Sequence, residues 1–266
     1  MTRKLYAERP GWGKDFDYDE ARHLVAYRYA ASLVQGKHVL DAGCGEGFAT
    51  QTLADKAASV VGADYHAEAI NTARSRWKKD RLSFRVIDLA AAEPDDAFDV
   101  VLNFQVIEHI LDDRGFVAKL SRWLAPGGTL MLTTPNRLQS FSENPCHLRE
   151  YTADELRALL ETAFSEVKLL GVFGNERVVE FDRNRRLAVE RILRFDPLGL
   201  RHVLPERLLH LAFARLGQAV RRTAHRSVGA ATIEIDDFTI RAGADRGADG
   251  SEGLARATDL VALCKP

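Results

Sequence analysis

The sequence predicts an α/β fold, a parallel sheet with helices on both faces. Three observations carry that reading. Short runs rich in β-branched and aromatic residues alternate with amphipathic stretches. The first such run leads straight into glycines at 43, 45 and 47, with a helix-compatible segment behind them. Several of the later runs end in an acid or a polar pair, at the carboxyl ends where open α/β sheets build their sites.

Taken in order, strands are expected at 38–42, 59–63, 82–87, 98–103 and 129–133. Helical patterns lie between them at 48–57, 67–79 and 114–124. Pro126-Gly127-Gly128 reads as a turn just before the fifth strand. Thr152 and Glu155 have the spacing of a capping box, opening a helix that runs to Phe164. Two further β-like runs follow at 165–172 and 258–264. The chain thus divides into a covering segment at 1–36, a core at 37–174, a helical insertion at 175–256 and a last strand at 257–266. Within the insertion, Val178, Phe181, Ala188, Ile192 and Phe195 make one apolar stripe. Leu208, Leu209, Ala212, Phe213, Leu216 and Val220 make another. Pro197 and Pro205 punctuate the two, and 242–253 has the composition of a loop.

Composition narrows the class. A chain of 266 residues suits one large domain with an insertion, and 46% apolar residues supply an ordinary core. A net charge of −1 gives no global pull towards nucleic acid or membrane. The cysteines, Cys44, Cys146 and Cys264, lack zinc or redox spacing, so a reduced, cytoplasmic setting is expected. The N-terminus has no apolar h-region, so no signal peptide is expected. No run approaches the roughly 20 apolar residues of a membrane span.

The glycine turn is where the chemistry begins. Its spacing lets the backbone turn sharply and lets a ligand touch main-chain N–H groups. The helix N-terminus expected behind it favours a polar or anionic ligand end. Asp64 ends the second strand 17 residues beyond Gly47 and is followed by Tyr65. A carboxylate about 20 residues past such a loop can accept from both hydroxyls of a ribose. Asp88 ends the third strand, where an acceptor can reach an adenine amine, and Leu89 can cover the ring. The fourth strand runs through Asn103 and Phe104 towards Glu108 and His109.

In this order, these elements resemble the class I S-adenosylmethionine-dependent methyltransferases. The resemblance is strong over 37–172 and weaker over the final strand. It implies a Rossmann-like, seven-stranded sheet with the last strand antiparallel between strands five and six. It implies S-adenosyl-L-methionine as cofactor, with Asp41, Gly43, Gly45 and Gly47 around its methionine part. Asp64 with Tyr65 would hold the ribose, and Asp88 with Leu89 the adenine. Asn103 and Phe104 would border the reactive methyl. A nicotinamide enzyme fits less well, since the loop is Gly-x-Gly-x-Gly and Asp41 stands two residues before the first glycine.

The residues from Gln105 to His109 resemble the Glu-x-x-Glu-His segment of ubiquinone-pathway O-methyltransferases and small-RNA 2′-O-methyltransferases, where acids and His bind a divalent metal. Here Gln105 stands in place of the first acid. No resident metal is therefore expected, with Glu108, His109 and His147 left as at most a weak set. Thr134-Pro-Asn136 and the segment from Asn144 to Tyr151 are similar to methyltransferases of bacterial glycan and secondary-metabolite pathways.

Methyl transfer to a hydroxyl needs positioning and a base. His147 and His109 are the candidates, each with a bland alternative: His109 capping the helix after strand four, His147 a polar loop residue. Arg149 and Glu150 are expected to pair with each other, and Cys146 to be structural. Tyr27 and Arg28 are expected to serve an N-terminal covering helix, the alternative being that they reach the cofactor carboxylate, and His23 on that segment can face the acceptor.

The insertion holds twelve arginines and five acids from 177 to 226. A lid with solvated arginines is the favoured reading. An anionic acceptor carrier, a peripheral membrane contact, a homodimer contact and RNA are the alternatives. The expectation is a single-domain O-methyltransferase acting on a small molecule or glycan, with nucleic acid disfavoured. The rivals are an RNA methyltransferase using the basic insertion and a catalytically silent cofactor-binding protein.

Overall fold

The computed structural model describes residues 17–140, 147–194, 233–243 and 251–266. Five helices of eight residues or more lie among them: α1 (Asp17–Leu33), α2 (Ala67–Arg76), α3 (Asp113–Arg122), α4 (Ala153–Leu160) and α5 (Glu176–Arg194). The strands are β1 (His38–Ala42), β2 (Ser59–Asp64), β3 (Leu82–Val86), β4 (Phe98–Phe104), β5 (Leu124–Pro135), β6 (Glu166–Gly174), β7 (Phe238–Arg241) and β8 (Asp259–Lys265).

One sheet holds all eight, in the order β3-β2-β1-β4-β5-β8-β6-β7. The first five pair in parallel, and β8 runs antiparallel between β5 and β6. That is the expected seven-stranded arrangement. An eighth strand, β7, adds to the β6 edge from within the stretch read as a helical insertion. It is only four residues long, too short for its alternation to stand out.

The sheet is covered on both faces, so its central strands carry near-continuous apolar runs. Leu40, Val101, Leu130 and Leu132 pack with Phe116, Val117 and Leu120 of α3 and with Leu156 and Leu160 of α4. Val39, Val100, Leu102 and Met131 point the other way, towards Val25, Ala26 and Ala30 of α1 and Val178 and Phe181 of α5. Successive side chains of a strand serve opposite faces, which is why neighbours such as Val39 and Leu40 join different clusters.

Local chemistry sets the helix ends. Asp112 caps α3, accepting from the Gly115 N–H at 3.0 Å. Thr152 and Glu155 form the expected capping box of α4. Helix α2 stops at Arg76, short of the expected 79, where the Trp77 indole N–H turns to the Glu46 carbonyl at 2.9 Å. The expected helix at 48–57 is corrected to a chain of tight turns around a 3₁₀ segment, Thr50–Thr52. The threonine hydroxyls explain it: Thr50 donates to Asp41 and Thr52 to the Ala49 carbonyl, which favours short i→i−3 turns. Pro126-Gly127-Gly128 lies inside β5 rather than before it, and the β4–β5 register shifts there.

In α5 the first stripe is seated, with Val178 and Phe181 buried. The side chains of Ala188 and Ile192, and Phe195 itself, lie outside the described residues. So do the whole second stripe, most of the arginine-rich stretch, Asn144, Cys146 and most of the 242–253 loop. Cys44 and Cys264 are buried free thiols. Among the described residues no helix is long and apolar enough to cross a membrane.

Candidate active site

The carboxyl ends of β1, β2, β4 and β5 share one rim, and the residues singled out in the sequence gather there. Asp41, next to the end of β1, is buried. Its Oδ2 accepts from Thr50 Oγ1 at 2.6 Å and from Tyr27 Oη at 3.0 Å. Its Oδ1 has no hydrogen-bond partner. Burial pushes the carboxyl up to about 6, against the pull of the Thr50 and Tyr27 hydrogen bonds and with help from the Asp64 charge. A buried carboxylate with one unanswered oxygen suits a ligand ammonium group.

The glycine turn is built for close approach. Gly43, Gly45 and Gly47 all take positive φ, at 96°, 54° and 72°. A Cβ at Gly43 would strike Val106, and one at Gly47 the Phe84 ring, so both seal the turn against its own core. At Gly45 a Cβ would meet nothing within 4 Å, so that part of the turn faces open space. The Gly45 N–H donates to Asp64 Oδ2 at 3.0 Å, which holds loop and acid together. Asp64 Oδ1 accepts from the His66 N–H at 2.8 Å, leaving each oxygen a further lone pair. Tyr65 beside it is exposed. Asp88 is exposed at the end of the β3 segment and accepts from the Ala90 N–H at 3.1 Å, while Leu89 is buried.

Asn103 is buried and donates from Nδ2 to the Ala42 carbonyl at 2.8 Å, bridging β4 to β1; its Oδ1 is unpartnered. Phe104 packs edge-on against Tyr27, with ring centroids 4.9 Å apart. An orphaned Asp41 oxygen, an orphaned Asn103 oxygen and an open glycine turn therefore fit the cofactor that the resemblance implies.

Past Phe104 the backbone takes an unusual step. Gln105 sits at φ 57°, left-handed for a residue with a side chain, and such strain concentrates at functional sites. Its N–H donates to the Thr133 carbonyl at 2.9 Å, which turns Ile107–His109 over the rim as a single 3₁₀ turn. Glu108 is fully buried there, with Thr134 Oγ1 donating to its Oε2 at 3.0 Å. Burial raises its carboxyl to about 7.

The loop after β5 returns to the same place. The N–H groups of Leu148 and Arg149 both point at the Glu108 carbonyl, at 2.8 and 3.3 Å. His147 therefore comes edge-on to His109, with ring centroids 5.1 Å apart. Glu108, His109 and His147 each offer a ligand atom within 4.8 Å of the others. So the three donors weighed in the sequence do come together, while the Gln105 amide turns to Thr133 instead.

One expected pairing is corrected. Arg149 does not pair with Glu150: it reaches Asp113 at 3.0 Å, and Glu150 instead meets His147 Nδ1 at 2.6 Å. Arg28 is also elsewhere, bound to Asp236 and to the carbonyls of Ile235 and Phe238. His23 is on α1 beside Tyr27, its imidazole pushed down to about 4 by burial and by Arg22. The sequence reading missed Thr50, and it missed Asp259, buried at the start of β8 with Arg22 at 3.4 Å. The strand-end rule that singled out Asp64 applies to Asp259 too, because β8 is antiparallel and begins at this rim.

Residues 33–186 match the family model of a methyltransferase domain, more than half of the chain. The chain is 42% identical over 181 residues to a probable S-adenosylmethionine-dependent methyltransferase of Mycolicibacterium smegmatis, covering 65% of this chain and 69% of that one. A ubiquinone biosynthesis O-methyltransferase of a Chelativorans species is 38% identical over 120 residues, 44% of this chain and 47% of that protein. In three dimensions the chain is similar to the N-methyltransferase NodS of Bradyrhizobium japonicum, solved with S-adenosyl-L-homocysteine. That likeness has a TM-score of 0.51 and 24% identity, over 63% of this chain and 85% of that one, and shows the fold. By its matched domain and its Mycolicibacterium relative, the chain belongs to the class I S-adenosylmethionine-dependent methyltransferases.

Proposed function

We propose that this enzyme methylates a hydroxyl oxygen of a small-molecule or glycan acceptor, with His147 as the base and His109 beside it. The observation that carries the reading is the pair of histidines set edge-on at the rim where β4 and β5 end. The likeness to ubiquinone biosynthesis O-methyltransferases supports oxygen as the atom methylated.

When bound, S-adenosylmethionine supplies an electrophilic sulfonium methyl with a neutral thioether as leaving group. Asp41 would hold its ammonium, with Gly43, Gly45 and Gly47 around its methionine part. Asp64 with Tyr65 would hold the ribose, and Asp88 with Leu89 the adenine. Asn103 and Phe104 would wall the methyl's side of the cradle, Tyr27 closing it from α1. The protein then has two tasks, to align the acceptor oxygen and to remove its proton. An imidazole, with an ordinary pKa of about 6.5, suits the second task near neutral pH. The proton passes from the acceptor hydroxyl to a nitrogen of His147 as the new C–O bond forms. The buried free thiols Cys44 and Cys264 fit a reducing, cytoplasmic setting.

A turnover screen with labelled cofactor against phenols, quinols, sugars and nucleotide sugars tests this reading. A methyl ether as product supports it. A product methylated on nitrogen or carbon, with no ether formed, contradicts it.

A further inference from the structure

We infer that Glu150 is the positioning residue for His147, holding the Nδ1–H of the imidazole so that Nε2 keeps its lone pair for the acceptor's proton. The inference rests on the reading of His147 as base, and its test is chosen to separate the two.

The geometry is specific. Glu150 Oε1 lies 2.6 Å from His147 Nδ1, and the two side chains are only 12% and 13% exposed. At that burial the contact is shielded from solvent more than a surface ion pair would be. A carboxylate can only accept, so the proton of this hydrogen bond sits on Nδ1. In a neutral imidazole the other nitrogen, Nε2, then carries the lone pair.

Glu150 stays a carboxylate. A glutamate is ionised near neutral pH, and Glu150 also accepts a hydrogen bond from Ser140. Its chain neighbours do not compete for it. Arg149 pairs with Asp113 and lies over the Tyr151 ring, 5.1 Å from its centroid. Tyr151 Oη donates to the same Asp113 carboxylate at 3.0 Å.

The frame around the pair is fixed at both ends. On one side Leu148 and Arg149 are pinned to the Glu108 carbonyl. On the other, Tyr151 bridges to Asn136 and Thr152 opens the capped helix α4. Three residues of anchored chain thus set the ring and the carboxylate against each other. A pair that served only to tie the loop would hold the same tautomer, so the tautomer tests the hold on the ring and the transfer rate tests its use.

The test is long-range ¹H–¹⁵N NMR of the full chain labelled with ¹⁵N-histidine, at a pH where the ring is neutral, without acceptor. The native protein is expected to show His147 protonated on Nδ1 and bare on Nε2. Glu150→Leu, which removes the acceptor, is expected to lose that tautomer. Glu150→Gln, whose amide oxygen still accepts, is expected to keep it. In single-turnover methylation of catechol, Glu150→Leu is expected to slow transfer about 10-fold or more, with cofactor affinity unchanged and Glu150→Gln restoring most of the rate. A native ring protonated on Nε2, or an unchanged spectrum in folded Glu150→Leu, overturns the inference. A lost tautomer with unchanged transfer leaves Glu150's hold on the ring standing and overturns His147 as base.

Discussion

Tyr27 joins the covering helix to the floor of the proposed cofactor cradle: its hydroxyl donates to Asp41 Oδ2 at 3.0 Å, inside the protein. The same oxygen accepts from Thr50, so helix, strand and glycine turn meet at one carboxylate. The proposed cofactor cradle and the seating of α1 therefore share that atom.

The first prediction follows from the Asp41 carboxyl, which burial raises from 3.8 to about 6. A raised acid favours the fold while protonated, and that contribution is lost as pH rises from about 4 through 6. At 1.36 kcal/mol per unit, the loss is about 3 kcal/mol in the cofactor-free protein. A ligand ammonium needs the ionised form, so cofactor affinity should rise between pH 5 and 7 and then level off. Calorimetry on the native chain and on Asp41→Asn checks this, and the variant should show weak binding with little pH dependence.

The second concerns Asp64. Its carboxylate both receives the Gly45 N–H and stands where a ribose is expected. Asp64→Ala should weaken cofactor binding by about 1.5–3 kcal/mol, as loss of a charged hydrogen-bond partner does. A dissociation constant within a factor of about two of native would move the ribose elsewhere.

The third concerns metal. Glu108, His109 and His147 are close enough to share an ion, but no fourth His, Cys, Asp or Glu joins them among the described residues. Transfer should survive chelator with at most a modest fall. Complete loss in chelator, restored by a divalent ion, would show the three donors to be a working site.

The fourth tests the seating of α5. Phe181 is buried and stacked on Tyr18 with ring centroids 4.9 Å apart. Phe181→Ala should cost about 3–5 kcal/mol of stability, the usual range for emptying such a site. Denaturant unfolding with little change would mean that α5 rides on the surface as a detachable lid.

Much of this was legible in the chain because the signals are local. A glycine turn, a strand-ending acid and a Thr-x-x-Glu box each declare themselves within a few residues. What was not legible needed the fold. The stretch 48–57 reads as a helix, but Thr50 gives its hydroxyl to Asp41, nine residues earlier. Strand β7 is too short to show a period, and its partner β6 lies more than sixty residues away. Glu150 next to Arg149 suggests a neighbourly pair. Neither residue lies in a helix or strand, and the two side chains diverge, one to Asp113 and one to His147.

The central claim is that His147 takes the acceptor's proton, and single-turnover methylation by His147→Ala tests it most directly. The account predicts a rate lowered by about 10²-fold or more while cofactor affinity stays near native, the pattern of a lost general base. Rates that match the native protein across pH 6 to 9 would contradict it and make His109 the residue to examine.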